Sequence, residues 1–172
     1  MSDALFAAVT AIVGSEHMRA EGEHCHVSPG GESEVAQLAA LGKQHGATLI
    51  PVGKGGRSTP TDDLRRQLLL NMRRMNHVLH LDELSLVVHV QAGISGLELE
   101  KALNKRGLTI GDFPPAALGS TIGGMLSVRT PGKSARRHGT FEDSVLGLSA
   151  VLADGRLLHT RVAPRRASGP DL

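Results

Sequence analysis

Two glycine-rich segments carry the residue types that an anion site needs. In Gly53-Lys54-Gly55-Gly56-Arg57-Ser58 the missing side chains let backbone N–H groups converge on an anion, and Lys54 and Arg57 add charge. In Gly119-Ser120-Thr121-Ile122-Gly123-Gly124-Met125, hydroxyls precede a glycine pair. Hydroxyls and N–H groups satisfy phosphate oxygens or the acceptors of a planar ring, and glycines permit its close approach. The first segment departs from the dinucleotide fingerprint, because Ser58 stands where the third glycine belongs and no obvious helix follows. Pro131-Gly132-Lys133-Ser134 ends like a P-loop, but Ser127 takes the place of the upstream glycine, so a P-loop is rejected. His24-Cys25-His26 holds metal-ligand types, yet an extended chain sends Cys25 to the side opposite His24 and His26. That segment is expected to be an exposed loop without metal. His77, His80 and His89 read as surface or satisfied core residues. The pairs Arg65-Arg66, Arg73-Arg74, Arg136-Arg137 and Arg165-Arg166 are spread over four regions among acids and read as solvated surface.

Composition bounds the partners. The 172 residues carry a net charge of +2, which gives no reason to expect a polyanion. Three aromatic residues, Phe6, Phe113 and Phe141, are too few for stacking on single-stranded nucleic acid. Hydrophobic residues at 40% and charged residues at 21% describe a globular chain. No apolar run approaches the ~20 residues of a membrane span, no signal peptide is recognisable, and the single Cys25 fits a reducing compartment. A cytoplasmic protein is expected.

The elements that must position these segments follow from periodicity. Leu5, Val9, Ile12 and Val13 predict a helix from Asp3 to Val13, stopped by Gly14. After a polar stretch from Ser15 to Gly31, Ser33 is a candidate N-cap for a helix that buries Val35, Leu38 and Leu41 and closes at Gly46. Ala47 to Val52 predicts a buried strand that delivers the first glycine-rich segment at its carboxyl end, where open α/β sheets bind ligands. Leu68 to Met72 predicts another strand. Val78–Leu81 and Leu84–Val90 predict a hairpin, as do Val145–Leu152 and Leu157–Val162 around Asp154-Gly155. Ser95 and Glu98 form a capping-box signature for a helix ending at Gly107. The sum is an α+β architecture in two lobes.

The order of segments is more specific than any one of them. Pro29 to Val35, Pro51 to Gly56, Met75-Asn76, Val90 to Gly93, Ser120 to Gly124, His138-Gly139 and Val151 to Gly155 together resemble the FAD-linked oxidase family, whose FAD-binding domain is of the vanillyl-alcohol-oxidase or PCMH type. Gly139 to Asp143 and the tail Pro164 to Asp171 look most like the alkyldihydroxyacetonephosphate synthase branch, with enzymes that oxidise D-lactate and glycolate as wider relatives. The resemblance implies a PCMH-type fold with a small parallel αβ lobe and a larger antiparallel αβ lobe. On that basis residues 1–26 form a lead-in and 27–172 the FAD-binding domain, with lobes at about 27–91 and 92–172.

It also implies FAD as the partner. Val52, Gly53, Lys54, Gly55, Gly56, Arg57 and Ser58 would wrap the pyrophosphate. Gly119, Ser120, Thr121, Gly123 and Gly124 would line the diphosphate and flavin, with Ser127, Arg129 and His138 nearby. Lys54 stands where a glycine is common, and His138 where a tyrosine is usual. The family continues past the position of Leu172 with the rest of the FAD domain and a substrate-binding cap domain. The domain is therefore expected to be incomplete at its C-terminal side, without a catalytic base, and to turn over no substrate alone. Three functions follow: the FAD-binding portion of an oxidoreductase, possible substrates including 2-hydroxy acids; a fragment of an alkyldihydroxyacetonephosphate-synthase-like transferase; or a non-catalytic remnant or binding module.

Overall fold

A computed structural model describes residues 3–21, 24–53, 67–111, 113–133, 136 and 139–160. The chain divides into two compact units, one drawn from Met1–Arg74 and Leu146–Leu172, the other from Met75–Val145.

In the first unit, α1 (Asp3–Val13) buries Leu5, Val9 and Val13, whose four-residue spacing sets them on one stripe. Gly14 stops it at φ 84°, its N–H donating to the Thr10 carbonyl at 2.9 Å. The polar stretch that follows contains two unanticipated strands. β1 (Met18–Glu21) pairs antiparallel with β2 (His24–Val27). α2 (Glu32–His45) ends at left-handed Gly46 as expected, but its N-cap is Gly31. Ser33 lies inside the first turn and its hydroxyl accepts from Gln37. β3 (Thr48–Val52) and β4 (Gln67–Asn71) complete a sheet ordered β1-β2-β4-β3, in which β2, β4 and β3 run parallel.

Cys25 and Val27 of β2 register with Leu68 and Leu70 of β4, and these four pack against Leu5, Val9, Val13 and Leu38 beneath the two helices. Each such buried aliphatic side chain contributes roughly 1.5–3 kcal/mol. Cys25 is fully buried and burial pushes its thiol pKa up. His24-Cys25-His26 is thus an interior strand and not an exposed loop. The alternation of β structure puts Cys25 in the core and leaves His24 and His26 half-buried on the other face. β3, expected to be buried, is an edge strand, the position that tolerates Pro51, which has no N–H to give a neighbour.

In the second unit, β5 (Val78–Asp82) and β6 (Val87–Val90) form the first hairpin. Leu84 and Leu86, expected in its second strand, belong to the turn. The Asp82 carboxylate accepts the N–H groups of Leu84 at 3.0 Å and Ser85 at 3.1 Å, and Leu86 takes φ 56°. α3 (Gly96–Asn104) carries the expected capping box: the Ser95 N–H donates to Glu98 Oε2 at 2.9 Å, and the Glu98 N–H donates to Ser95 Oγ at 3.2 Å. Two further helices, α4 (Pro115–Leu118) and α5 (Ile122–Ser127), were not anticipated. Ile94, Leu99 and Leu103 make one cluster; Phe113, Met125 and Phe141 make another, with the two rings edge to face at 5.7 Å.

The last hairpin, β7 (Ser149–Val151) and β8 (Leu157–His159), is shorter than expected; residues 161–162 lie outside the described chain. Its turn residue Gly155 has φ 87°, and a Cβ there would stand 2.7 Å from the Ala36 carbonyl and 2.9 Å from Ala40 Cβ of α2. This contact packs the β7–β8 turn against α2 within the first unit. The compact units are accordingly cut at 74/75 and 145/146, whereas the lobes read from sequence meet at 91/92.

Candidate functional site

The junction of α4 and α5 is built from the second glycine-rich segment. Pro115 starts α4, where a residue without N–H loses nothing. Thr121 caps α5, its Oγ1 accepting the Gly124 N–H at 3.2 Å. The Ile122 and Gly123 N–H groups donate to the carbonyls of Ile94 (2.8 Å) and Ala92 (2.9 Å), and the Gly96 N–H to that of Ser120 (3.0 Å). The segment is therefore a helix start, not a loop. Glycine lowers helix propensity by roughly 1 kcal/mol, which hid it from pattern reading. Contact explains the glycines: a Cβ at Gly123 would lie 3.1 Å from Ala92 Cβ, and one at Gly124 3.1 Å from Thr121 Oγ1.

The N–H groups of residues 122–124 are thus committed within the protein. The Ser120 hydroxyl and the Thr121 N–H bond to no described residue, and the Thr121 hydroxyl keeps its proton to donate. From Phe113 to Phe141 the sequence holds no Asp or Glu, but includes Arg129, Lys133, Arg136 and Arg137. Within the segment itself no carboxylate stands beside the Ser120 and Thr121 donors, and Glu142, just beyond it, pairs with Arg129.

At the other end of α5, the Ser127 hydroxyl donates back to the Gly123 carbonyl at 2.8 Å. The Arg129 N–H reaches the Leu126 carbonyl and the Thr130 N–H the Met125 carbonyl, both at 3.0 Å, a Schellman pattern. Arg129 holds its left-handed position at φ 50°, and its Nε lies 2.8 Å from Glu142 Oε2. Gly119, Ser120, Thr121, Gly123 and Gly124 therefore gather at one end of α5, with Ser127 and Arg129 at the other. Val52 and Gly53 belong to the first unit, at the carboxyl end of β3. Lys54, Gly55, Gly56, Arg57, Ser58 and His138 lie outside the described residues.

That carboxyl edge holds residues the sequence reading missed. Val27 and Pro51 both register with Leu70, so β2, β4 and β3 end side by side. Arg74 Nη1 donates to the Ser28 carbonyl at 2.6 Å and lies 3.7 Å from Glu34 Oε2, which accepts the Gly30 N–H at 2.8 Å. Arg74, read as solvated surface, is a half-buried clamp. The legible signal was Glu34, an acid at the third position of α2 reaching back over the helix start, as capping-box acids do.

Comparison with known proteins decides the ligand class, because the family described as FAD binding domain matches residues 24–161. The chain belongs to this family. Over 152 residues the FAD-binding domain is 34% identical to alkyldihydroxyacetonephosphate synthase of Caenorhabditis elegans, covering 85% of this chain and 25% of the relative. Over 138 residues it is 30% identical to glycolate oxidase subunit GlcD of Bacillus subtilis (strain 168), covering 78% and 29%. A solved structure of alkyldihydroxyacetonephosphate synthase superposes with a TM-score of 0.84 at 25% identity, over 94% of this chain and 36% of that one. The chain spans about a quarter of the length of the curated relatives it matches.

The cofactor of the domain is FAD. At the α4–α5 junction the Ser120 hydroxyl and the Thr121 N–H, which bond to no described residue, are donors of the type that a diphosphate takes. Among the described residues, no helix is long and apolar enough to cross a membrane.

Proposed function

We propose that this FAD-binding domain is part of a flavin-dependent oxidoreductase acting on 2-hydroxy acids. The match of the FAD binding domain family to residues 24–161 carries the reading; the likeness to a glycolate oxidase subunit supports the substrate class. When bound, FAD supplies a ring that accepts a hydride from a substrate C–H. The chain's residues bind and orient it. Ser120 and Thr121 donate to the diphosphate, beside Gly119, Gly123 and Gly124. Val52, Gly53, Lys54, Gly55, Gly56, Arg57 and Ser58 wrap the pyrophosphate, and Ser127, Arg129 and His138 stand toward the ring. None of these is a catalytic base, so the reading assigns substrate binding and proton removal to a further domain or a partner subunit. A cytoplasmic location belongs to the same proposal, supported by the free Cys25.

The similarity to alkyldihydroxyacetonephosphate synthase, in sequence at 34% and in structure at TM-score 0.84, favours a second reading, a transferase with no net oxidation.

Titration of the folded chain with FAD, followed by quenching of flavin fluorescence, tests the cofactor site. Saturable binding is expected. Ser120→Ala should weaken it by about 0.5–1.5 kcal/mol, the value of one hydrogen bond. A folded chain that leaves FAD fluorescence unchanged overturns the reading in favour of a non-catalytic remnant. In the protein joined to its substrate domain, bleaching of the flavin by a 2-hydroxy acid supports the oxidoreductase. Product formation without consumption of an electron acceptor supports the transferase.

A further inference from the structure

The geometry points to the Ser28–Gly31 turn as a second wall of the dinucleotide site, with Arg74 as the positioning residue that holds it; this rests on the FAD reading above. Three parallel strands end together where Val27, Val52 and Asn71 leave the sheet, and open α/β sheets bind their ligands outside such carboxyl ends. With β4 between them, β2 and β3 lie about 10 Å apart, two strand spacings. Ser28 and Gly53 therefore start from neighbouring points on one edge, a span that a nucleotide bridges.

The turn is fixed from inside and open outside. Pro29, within it, is fully buried. Arg74 Nη1 donates to the Ser28 carbonyl at 2.6 Å, across 46 residues of sequence, and Glu34 Oε2 takes the Gly30 N–H at 2.8 Å. The guanidinium lies against Gly30 so closely that a Cβ there would stand 2.8 Å from Nη2, while a Cβ on Gly31 would meet none of the described residues within 4 Å. Gly31 is extended, at φ −166°, so its missing side chain answers no backbone strain and, among the described residues, no packing contact. An uncrowded glycine on a clamped turn at the ligand-bearing edge fits the approach of a ligand. The charge of Arg74 faces the Ser28 carbonyl and Glu34, so it acts through the turn.

The test is FAD titration of the unaltered chain, Gly31→Asn, Arg74→Ala and Arg74→Lys, with thermal melting of each apo protein. Asn is a preferred N-cap in open space, so Gly31→Asn should melt no lower than the parent. Its FAD affinity should nonetheless fall about tenfold or more, the scale on which site misplacement is felt. Arg74→Ala should weaken FAD binding with the salt dependence of the parent retained, and Arg74→Lys should restore part of the loss through one N–H to the Ser28 carbonyl. If the parent binds FAD and Gly31→Asn binds it equally well, the turn is not a wall of the site. If Arg74→Ala flattens the salt dependence, Arg74 touches phosphate directly and the positioning role is wrong. A parent that binds no FAD overturns the cofactor reading and this inference with it. Should Arg74→Ala fail to fold, Gly31→Asn decides alone.

Discussion

Arg129 holds a position whose backbone geometry and proposed cofactor role make conflicting demands. It fills the left-handed position of the Schellman turn after α5, where glycine is usual and an L side chain costs about 1–2 kcal/mol. Its ion pair with Glu142 returns little, because the Arg129 side chain is 74% exposed and exposed pairs are worth about 0–1 kcal/mol. Arg129→Gly should therefore raise the melting temperature, with a gain of up to about 1 kcal/mol in urea unfolding. The same change should weaken FAD binding if the side chain serves the flavin. A lower melting temperature would mean that the Glu142 contact outweighs the strain. Glycines need the same scrutiny in the other direction. Gly123 packs on Ala92, so a β-branched residue there disturbs the protein itself, and Ser120, whose hydroxyl has no described partner, is the better probe of the cofactor.

Elements were legible where local chemistry specifies them. Ser95 with Glu98, and Gly46 after an apolar stripe, each announce a helix boundary through groups that must be satisfied within a few residues. β2 was hidden because half of it is histidine, and only its place between β1 and β4 shows that Cys25 is interior. α5 was hidden because its glycines answer contact with Ala92, a tertiary cause that no local pattern records. The Arg74 clamp likewise spans β2, α2 and the end of β4, so sequence spacing conceals it.

The β5–β6 turn offers a pH test at this scale. The Ser85 hydroxyl and N–H, with the Leu84 N–H, hold the Asp82 carboxyl below the usual carboxylate range. A lowered folded pKa means that the stabilisation is complete above the unfolded value and is lost as pH falls through the folded one. The Leu84 and Ser85 amide resonances should therefore shift with a midpoint below the ordinary Asp value, and a midpoint at or above it would show that the bonds do not form.

At the scale of the whole molecule, the first unit is assembled from both ends of the sequence. α2 packs Leu38 into the sheet core on one side and receives Gly155 at Ala36 and Ala40 on another. Gly155→Ala puts a Cβ 2.7 Å from the Ala36 carbonyl at a residue with φ 87°, and should cost about 1–3 kcal/mol. The buried Cys25 thiol reports this at a distance, since it reacts only when the core opens. Thiol labelling of Gly155→Ala under native conditions should be faster than in the parent; an unchanged rate would show that the hairpin does not support α2.

Such an interrupted unit sets an order of events on the ribosome. Met75–Val145 is a continuous stretch, whereas the unit that Met1–Arg74 begins lacks its closing hairpin until the β7–β8 residues, which follow the whole of the other unit, have been made. During that interval the surface of α2 at Ala36 and Ala40 lacks the cover that Gly155 gives it.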